Sequence, residues 1–135
     1  MDDVAAGAAP VVLIADDDEV VRTLVSRSLT ANGYRVLKTS DGLETLRVMT
    51  RWEPALLLLD IGMPGLDGKA VARIVRSMGP AAPIVVFLTA DTSDDSRAEG
   101  LGLGAADYIT KPFASDDLRA RVAAALEGQS GTPAH

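Results

Sequence analysis

The feature that most constrains the fold is the stretch LLLLDIGMPGLDG, from Leu56 to Gly68, in which an apolar run ends on a single carboxylate, Asp60. A Gly/Pro-rich turn follows at once. A short apolar run bounded by turn residues predicts a strand that is buried on both faces, as in a parallel sheet. Asp60 would then lie at the carboxyl end of that strand. Ligands bind at this edge of open α/β sheets, so Asp60 is a candidate functional residue.

The rest of the chain alternates between short apolar strands and helices. Strands are predicted at 11–15, 34–39, from Leu56 onward, 84–88 and 107–109, and helices at 18–32, 41–52, 68–78, 93–103 and 115–127. Ser115 is expected to cap the last helix. The fourth helix is expected to be weak, because Gly100 and Gly102 each cost roughly 1 kcal/mol relative to alanine. Five strands that alternate with five helices predict an α/β fold, a doubly wound parallel sheet with helices on both faces.

Length and composition predict one soluble domain. A chain of 135 residues is the size of a single domain, and it contains no cysteine, which excludes disulfides and thiolate metal sites. Residues 1–9 and 128–135 are expected to be a disordered N-terminal tail and a flexible C-terminal tail or linker, leaving 10–127 as the domain. No apolar run reaches the roughly 20 residues of a membrane span, and no signal peptide is visible, so we expect a cytoplasmic protein with no membrane contact.

The charge of the chain argues against direct binding to nucleic acid. Its 13 basic and 19 acidic residues give a net charge of −6, which opposes attraction to a phosphate backbone. The imbalance is strongest in residues 91–127, where eight acidic residues face four basic ones. A protein partner of this region should therefore present basic groups.

Polar side chains follow four of the predicted strands, at the point where each strand ends. They are Asp16, Asp17 and Asp18 after the first strand, Asp60 after the third, Thr89 after the fourth and Lys111 after the fifth. Converging carboxylates raise one another's pKa unless a cation is present, and oxygen ligands select a hard ion such as Mg²⁺. Thr89 and Lys111 suit the oxygens of a phosphoryl group. Asp60, the single acid on its strand, is the candidate nucleophile for an acyl phosphate.

Four segments together resemble the receiver domain of the two-component response-regulator family. They are LIADDDE at 13–19, LLLLDIGMPGLDG at 56–68, FLTA at 87–90 and GAADYITKPF at 104–113. Their order and their helix-sized spacing make the resemblance specific, and it covers residues 10–127. It implies a single flavodoxin-like domain, a five-stranded parallel sheet flanked by five helices.

The resemblance also implies roles for individual residues. Asp60 is the phosphoacceptor, and Thr89 and Lys111 contact the phosphoryl group. The implied ligands of Mg²⁺ are Asp16, Asp17, Asp60 and the backbone carbonyl of Gly62, with Asp17 binding directly and Asp16 assisting. The implied switch residues are Thr89 and Tyr108. A cis peptide bond between Lys111 and Pro112 is implied as well.

The function implied is a phosphorylation-controlled binding module of a two-component phosphorelay, not an enzyme beyond self-phosphorylation from small phosphodonors and autodephosphorylation. A histidine kinase or phosphotransfer protein would phosphorylate Asp60. Tyr108 would turn inward, and the face built from helix 4, strand 5 and helix 5 would change its affinity for an effector protein, an effector domain outside this chain, or a second copy. The chain would be either a stand-alone regulator or part of a longer one. The alternative for Tyr108 is an ordinary core residue, which is the default role of a buried strand aromatic.

Two other functions fit parts of the sequence. Asp16, Asp18 and Val20 match the pattern DxDx[TV] after an apolar strand, which resembles the first motif of haloacid-dehalogenase-like phosphatases. In that case Asp60 would have no role. Alternatively, the chain could be a pseudo-receiver scaffold that keeps the fold without using phosphorylation.

Overall fold

The computed structural model describes residues 9–130, with side chains to residue 128. The elements are β1 Val11–Ala15, α1 Glu19–Ala31, β2 Arg35–Thr39, α2 Gly42–Trp52, β3 Leu56–Leu59, α3 Gly68–Arg76, a 3₁₀ turn Gly79–Ala81, β4 Ile84–Thr89, α4 Asp94–Gly102, β5 Asp107–Thr110 and α5 Ser115–Ser130. The last helix continues to Ser130, so its predicted end at 127 was too early. Most of the expected tails, at 1–8 and 131–135, lies outside the described residues.

All five strands are parallel and form one sheet in the order β2-β1-β3-β4-β5, which confirms the predicted fold class. The leucine run of β3 lies at the centre of this sheet, where Leu56 pairs with Val12 on one side and with Ile84 on the other. All of its leucines are fully buried. They are buried because helices cover both faces of the sheet, which is the reason that the sequence predicted.

The two faces of the sheet carry different helices and separate core clusters. Helices α2 and α3 pack on the face that contains Leu57, Leu59, Phe87 and Tyr108. Helices α1 and α5 pack on the opposite face, against Leu56, Leu58 and Val86. Within residues 9–130, no helix is long and apolar enough to cross a lipid bilayer.

Helix α4 forms despite its two glycines. The Ser93 side chain caps its N-terminus by accepting a hydrogen bond from the Ser96 N–H at 3.2 Å. In the second half of the helix, Glu99 forms ion pairs with Lys69 and Arg73 of α3 at 2.7 and 3.3 Å. Contacts outside the helix therefore support a segment whose own sequence is a weak helix former.

The first three helices begin at aspartate caps, which lie at the edge of the sheet where the strands end. Asp18, Asp41 and Asp67 cap α1, α2 and α3, each through a carboxylate that accepts a backbone N–H. The last helix differs, because Ser115 is its first helical residue rather than its cap. The Ala114 carbonyl accepts the Leu118 N–H at 3.0 Å, so Ala114, and not Ser115, is the residue before the first helical residue.

Candidate functional site

The register of the central strands places Asp16 and Asp60 side by side. Ala15 pairs with Leu59, and the Asp60 N–H donates to the Ala15 carbonyl at 2.9 Å. Since both strands end here, the carboxylates that follow them share one cleft. Oxygen atoms of Asp16, Asp17 and Asp60 all lie within 4.8 Å of one another. The structure thus brings together the three carboxylates that the resemblance named as metal ligands.

Asp18, the third member of the acidic trio, is not part of this cluster. It is exposed, and its carboxylate accepts the Val20 N–H at 2.9 Å as the cap of α1. Asp17 is also exposed but belongs to the cluster. The helix cap and the metal cluster are therefore formed by different members of the trio.

Asp16 is the most deeply buried acid of the cluster. Its Oδ1 accepts the Asp18 N–H at 2.9 Å, and its backbone carbonyl accepts a hydrogen bond from Arg22 Nη1 at 2.7 Å. Its Oδ2 lies 2.7 Å from Lys111 Nζ in an ion pair, yet within the described part of the chain it makes no hydrogen bond of good geometry. Such an oxygen is open to a further ligand. Together with two more carboxylates, it fits a hard cation such as Mg²⁺.

The Asp60 carboxylate lies at the end of β3, in surroundings that disfavour its negative charge. It is only 6% exposed, its Oδ1 accepts the Gly62 N–H at 3.2 Å, and the same oxygen lies 3.7 Å from Lys111 Nζ. Burial raises the pKa of Asp60 above its ordinary value of 3.8, and the charges of Asp16 and Asp17 raise it further. Lys111 and the Gly62 N–H lower the pKa but do not offset these effects. A bound cation would relieve the repulsion.

Thr89 and Lys111 stand at the ends of the neighbouring strands. The Lys111 N–H donates to the Thr89 carbonyl at 2.8 Å, and the Lys111–Pro112 peptide is cis, as the resemblance implied. The Lys111 side chain reaches the carboxylates, as described above. The Thr89 hydroxyl instead accepts the Asp91 N–H at 3.2 Å, which holds it in the turn before α4.

Gly68 belongs to the site although sequence reasoning did not single it out. A Cβ atom there would lie 2.2 Å from the Asp60 carbonyl oxygen and 2.8 Å from Ile61 Cα. Only glycine therefore allows α3 to start so close to the end of β3. The Gly68 N–H donates to the Ile61 carbonyl at 3.0 Å and closes the loop that carries Gly62. The available signal was a glycine placed directly after the helix cap Asp67.

Tyr108 lies inward in this structure. Its side chain is fully buried, and its hydroxyl donates to the Asp91 carbonyl oxygen at 2.8 Å. A second hydrogen bond of 2.8 Å joins the hydroxyl to Ser96 Oγ on α4. The ring is thus part of the core, and its role as a switch stays a prediction.

The geometry of the site agrees with a comparison against protein families. The family model described as the response regulator receiver domain matches residues 12–123. The chain is a receiver domain of the response-regulator family. This match decides against a haloacid-dehalogenase-like phosphatase, because it assigns residues 12–123 to a different family.

The receiver domain is similar to known proteins in sequence and in fold. "Response regulator MprA" from Mycobacterium leprae (strain TN) is 48% identical over 115 residues, which are 85% of this chain and 50% of that protein. The chain thus spans about half the length of the curated relatives it matches. The receiver domain of the Francisella response regulator 1452 is 32% identical, with a TM-score of 0.83 over 89% of this chain and 98% of that one. The BeF3-activated DrrB receiver domain is 30% identical, with a TM-score of 0.80 over 88% and 98%.

Proposed function

We propose that Asp60 accepts a phosphoryl group in a Mg²⁺-dependent reaction and forms an acyl phosphate. The observation that carries this proposal is the buried Asp60 carboxylate at the end of β3, flanked by two further carboxylates and by Lys111. In the transfer, a carboxylate oxygen of Asp60 attacks phosphorus while the bond between phosphorus and the donor breaks. The donor leaves with that electron pair.

The residues around Asp60 would bind the metal ion and the phosphoryl group. Mg²⁺ would be held by Asp16, Asp17, Asp60 and the backbone carbonyl of Gly62, where it supplies positive charge that neutralises the phosphoryl oxygens. Asp16 Oδ2 supports this assignment, because within residues 9–130 its contact with Lys111 Nζ is an ion pair and no hydrogen bond of good geometry reaches it. Lys111 Nζ, poised between Asp16 and Asp60, would turn to one phosphoryl oxygen. The cluster and the ammonium group position the reactants, which is what phosphoryl transfer chiefly requires.

We propose that the phosphoryl group draws the Thr89 hydroxyl toward Asp60 and thereby shifts the equilibrium of the surface that α4, β5 and α5 form. Tyr108 would report this shift as the second switch residue. The size of the response is limited by how differently the two states contact the phosphoryl group. We therefore propose that the chain acts as a signalling domain and not as an enzyme of the usual kind. Its own chemistry would be self-phosphorylation from small phosphodonors and autodephosphorylation.

The partners proposed are of two kinds. A histidine kinase or phosphotransfer protein supplies the phosphoryl group, and an effector protein, an effector domain or a second copy of this domain binds the α4-β5-α5 surface. The excess of acid in residues 91–127 favours a basic effector surface. We place this exchange in the cytoplasm, where no membrane contact by this domain is needed.

The proposal is tested by incubating the protein with acetyl phosphate and Mg²⁺ and measuring its intact mass. Wild type should gain one acid-labile phosphoryl group, and borohydride reduction should locate it on Asp60. Asp60→Asn should gain none. Asp18→Asn is the matched control, because asparagine caps a helix as well as aspartate and the Asp18 carboxylate caps α1 instead of joining the acidic cluster. Chelation of Mg²⁺ should abolish the gain in wild type.

Two results would contradict the proposal. A wild type that never gains the group in Mg²⁺ would favour the pseudo-receiver scaffold. A group that persists in Asp60→Asn would show that another carboxylate, such as Asp16, is the nucleophile.

A further inference from the structure

The aromatic ring of Tyr108 is enclosed by two strands and by α4. Phe87 is its partner in the register of β4 and β5, and the two ring centroids lie 6.2 Å apart at an angle of 57°. The Arg97 guanidinium of α4 lies over the ring, 5.1 Å from its centroid. Tilted rings and a cation over the ring face are both attractive arrangements. We call this enclosure, formed by Phe87, Asp91, Ser96, Arg97 and Gly100, the Tyr108 socket.

The hydroxyl of Tyr108 is anchored at two points of the socket. The Asp91 carbonyl oxygen and Ser96 Oγ each lie 2.8 Å from it. Ser96 is only 5% exposed, so water does not readily replace its hydroxyl. A buried phenol that loses such a partner keeps an incompletely satisfied polar group, which disfavours the buried position.

Gly100 on α4 lies against the rings of the Tyr108 socket, where it has no side chain to fill the space. A Cβ atom there would lie 3.0 and 3.1 Å from two carbon atoms of the Phe87 ring and 3.2 Å from Tyr108 Cδ2. A side chain on this residue and the inward ring of Tyr108 therefore compete for the same space. The glycine that weakens the helix in isolation is needed so that α4 can lie against the ring.

One residue of the socket also contacts the phosphoacceptor cleft. The Asp91 N–H donates to Thr89 Oγ1 at 3.2 Å, while the Asp91 carbonyl accepts the Tyr108 hydroxyl. A movement of Thr89 would displace the same peptide segment that anchors Tyr108. Ser96 supplies a second anchor that does not depend on Thr89.

We propose that Ser96, one turn before Gly100 on α4, is a positioning residue for Tyr108. The Ser96 hydroxyl sets the fraction of molecules in which the Tyr108 ring occupies the inward position. This inference rests on the proposed switch role of Tyr108 and extends it to a residue of α4. Losing the Ser96 hydroxyl leaves Asp91 as the sole anchor. The ring then moves outward more often, without any change in the carboxylates of the cleft.

The position of the ring is measured by nitration with tetranitromethane, followed by peptide mass spectrometry. The chain has two tyrosines, so the partly exposed Tyr34 serves as an internal reference. Ser96→Ala should raise the rate at Tyr108 relative to Tyr34 about fivefold, the effect of losing one typical buried hydrogen bond. Ser28→Ala is the matched control, because it removes a helical hydroxyl of similar burial, bonded to Arg119 at 3.1 Å on the other face. It should leave the ratio unchanged.

A double-mutant cycle separates positioning from general stability. Ser96→Ala should lower the urea midpoint of wild type and have little effect in a Tyr108→Phe background, where no phenol remains to be anchored. Equal effects in both backgrounds, or an unchanged nitration ratio, would overturn the inference. Neither readout requires phosphorylation. A wild type that gains no phosphoryl group would overturn the proposed function and leave the Tyr108 socket intact.

Discussion

The cleft around Asp60 and the Tyr108 socket lie on neighbouring strands but are built on opposite principles. The cleft gathers like charges, and burial raises the pKa of Asp60. Among the described residues, nothing makes a well-formed hydrogen bond to the second carboxylate oxygen of Asp16. The socket gathers rings, neutral hydroxyls and a carbonyl that satisfy one another. The first arrangement is unfavourable until a cation arrives, and the second is favourable as it stands. The proposed phosphoryl chemistry and the proposed switch residue Tyr108 therefore lie in surroundings of different kinds.

The contrast is tested most strongly at Lys111, the cation that lies near the carboxylates of both Asp16 and Asp60. Lys111 lowers the pKa of Asp60, so Lys111→Met should raise that pKa further. The nucleophile is the ionised carboxylate, and half-maximal labelling by acetyl phosphate should therefore move to higher pH. At neutral pH the rate should fall about tenfold, the effect of one lost charged contact.

Lys69→Met is the matched control for this experiment. Lys69 and Lys111 have the same side-chain exposure of 19%, and each pairs with a carboxylate at 2.7 Å, but Lys69 does so with Glu99 on α4. An equal fall in both variants would mean that general surface charge, and not the cleft, sets the rate.

A smaller effect distinguishes the two glycines of α4. Gly100→Ala should destabilise the protein by about 1–3 kcal/mol, because its Cβ overpacks the socket. Gly102→Ala meets open space and should stabilise the helix by up to about 1 kcal/mol. Urea unfolding of both variants checks the prediction. Similar stabilisation by both would show that Gly100 is not limited by the ring.

The smallest effect concerns the stability cost of the cleft. The pKa of Asp60 is raised by folding, so above 3.8 the folded state binds more protons than the unfolded state and stability falls as pH rises. Asp60→Asn removes this cost and should stabilise the metal-free protein at pH 7 by about 1 kcal/mol. The difference in melting temperature should vanish below pH 3.8. A less stable Asp60→Asn at pH 7 would contradict the cost assigned to the cleft.

The sequence predicted the cleft far better than the socket. Strand ends are visible as places where an apolar run stops, and parallel strands bring their ends to one edge, so the sequence alone placed Asp16, Asp60 and Lys111 together. The socket depends on how close α4 lies to β5. Nothing in the local sequence distinguishes the two glycines of α4. A Cβ atom at Gly100 would meet the rings of Phe87 and Tyr108, whereas one at Gly102 would have no neighbouring atom within 4 Å.

The same reason explains the smaller errors. Helix limits depend on contacts that local sequence does not contain, and α5 accordingly includes its predicted cap, Ser115, and continues past its predicted end to Ser130. Gly68 has its meaning only through the Asp60 carbonyl oxygen that its missing side chain would strike. Residues whose role is to leave space are recognised only when the neighbour that uses the space is known.

We propose that the phosphoryl chemistry takes place in the cleft and that the Tyr108 socket only positions the Tyr108 ring. This division of roles is tested directly by following the intact mass of wild type, Asp60→Asn and Ser96→Ala side by side in acetyl phosphate and Mg²⁺. Wild type and Ser96→Ala should each gain one phosphoryl group, and Asp60→Asn should gain none. A phosphoryl group on Asp60→Asn, or its absence from Ser96→Ala, would contradict it.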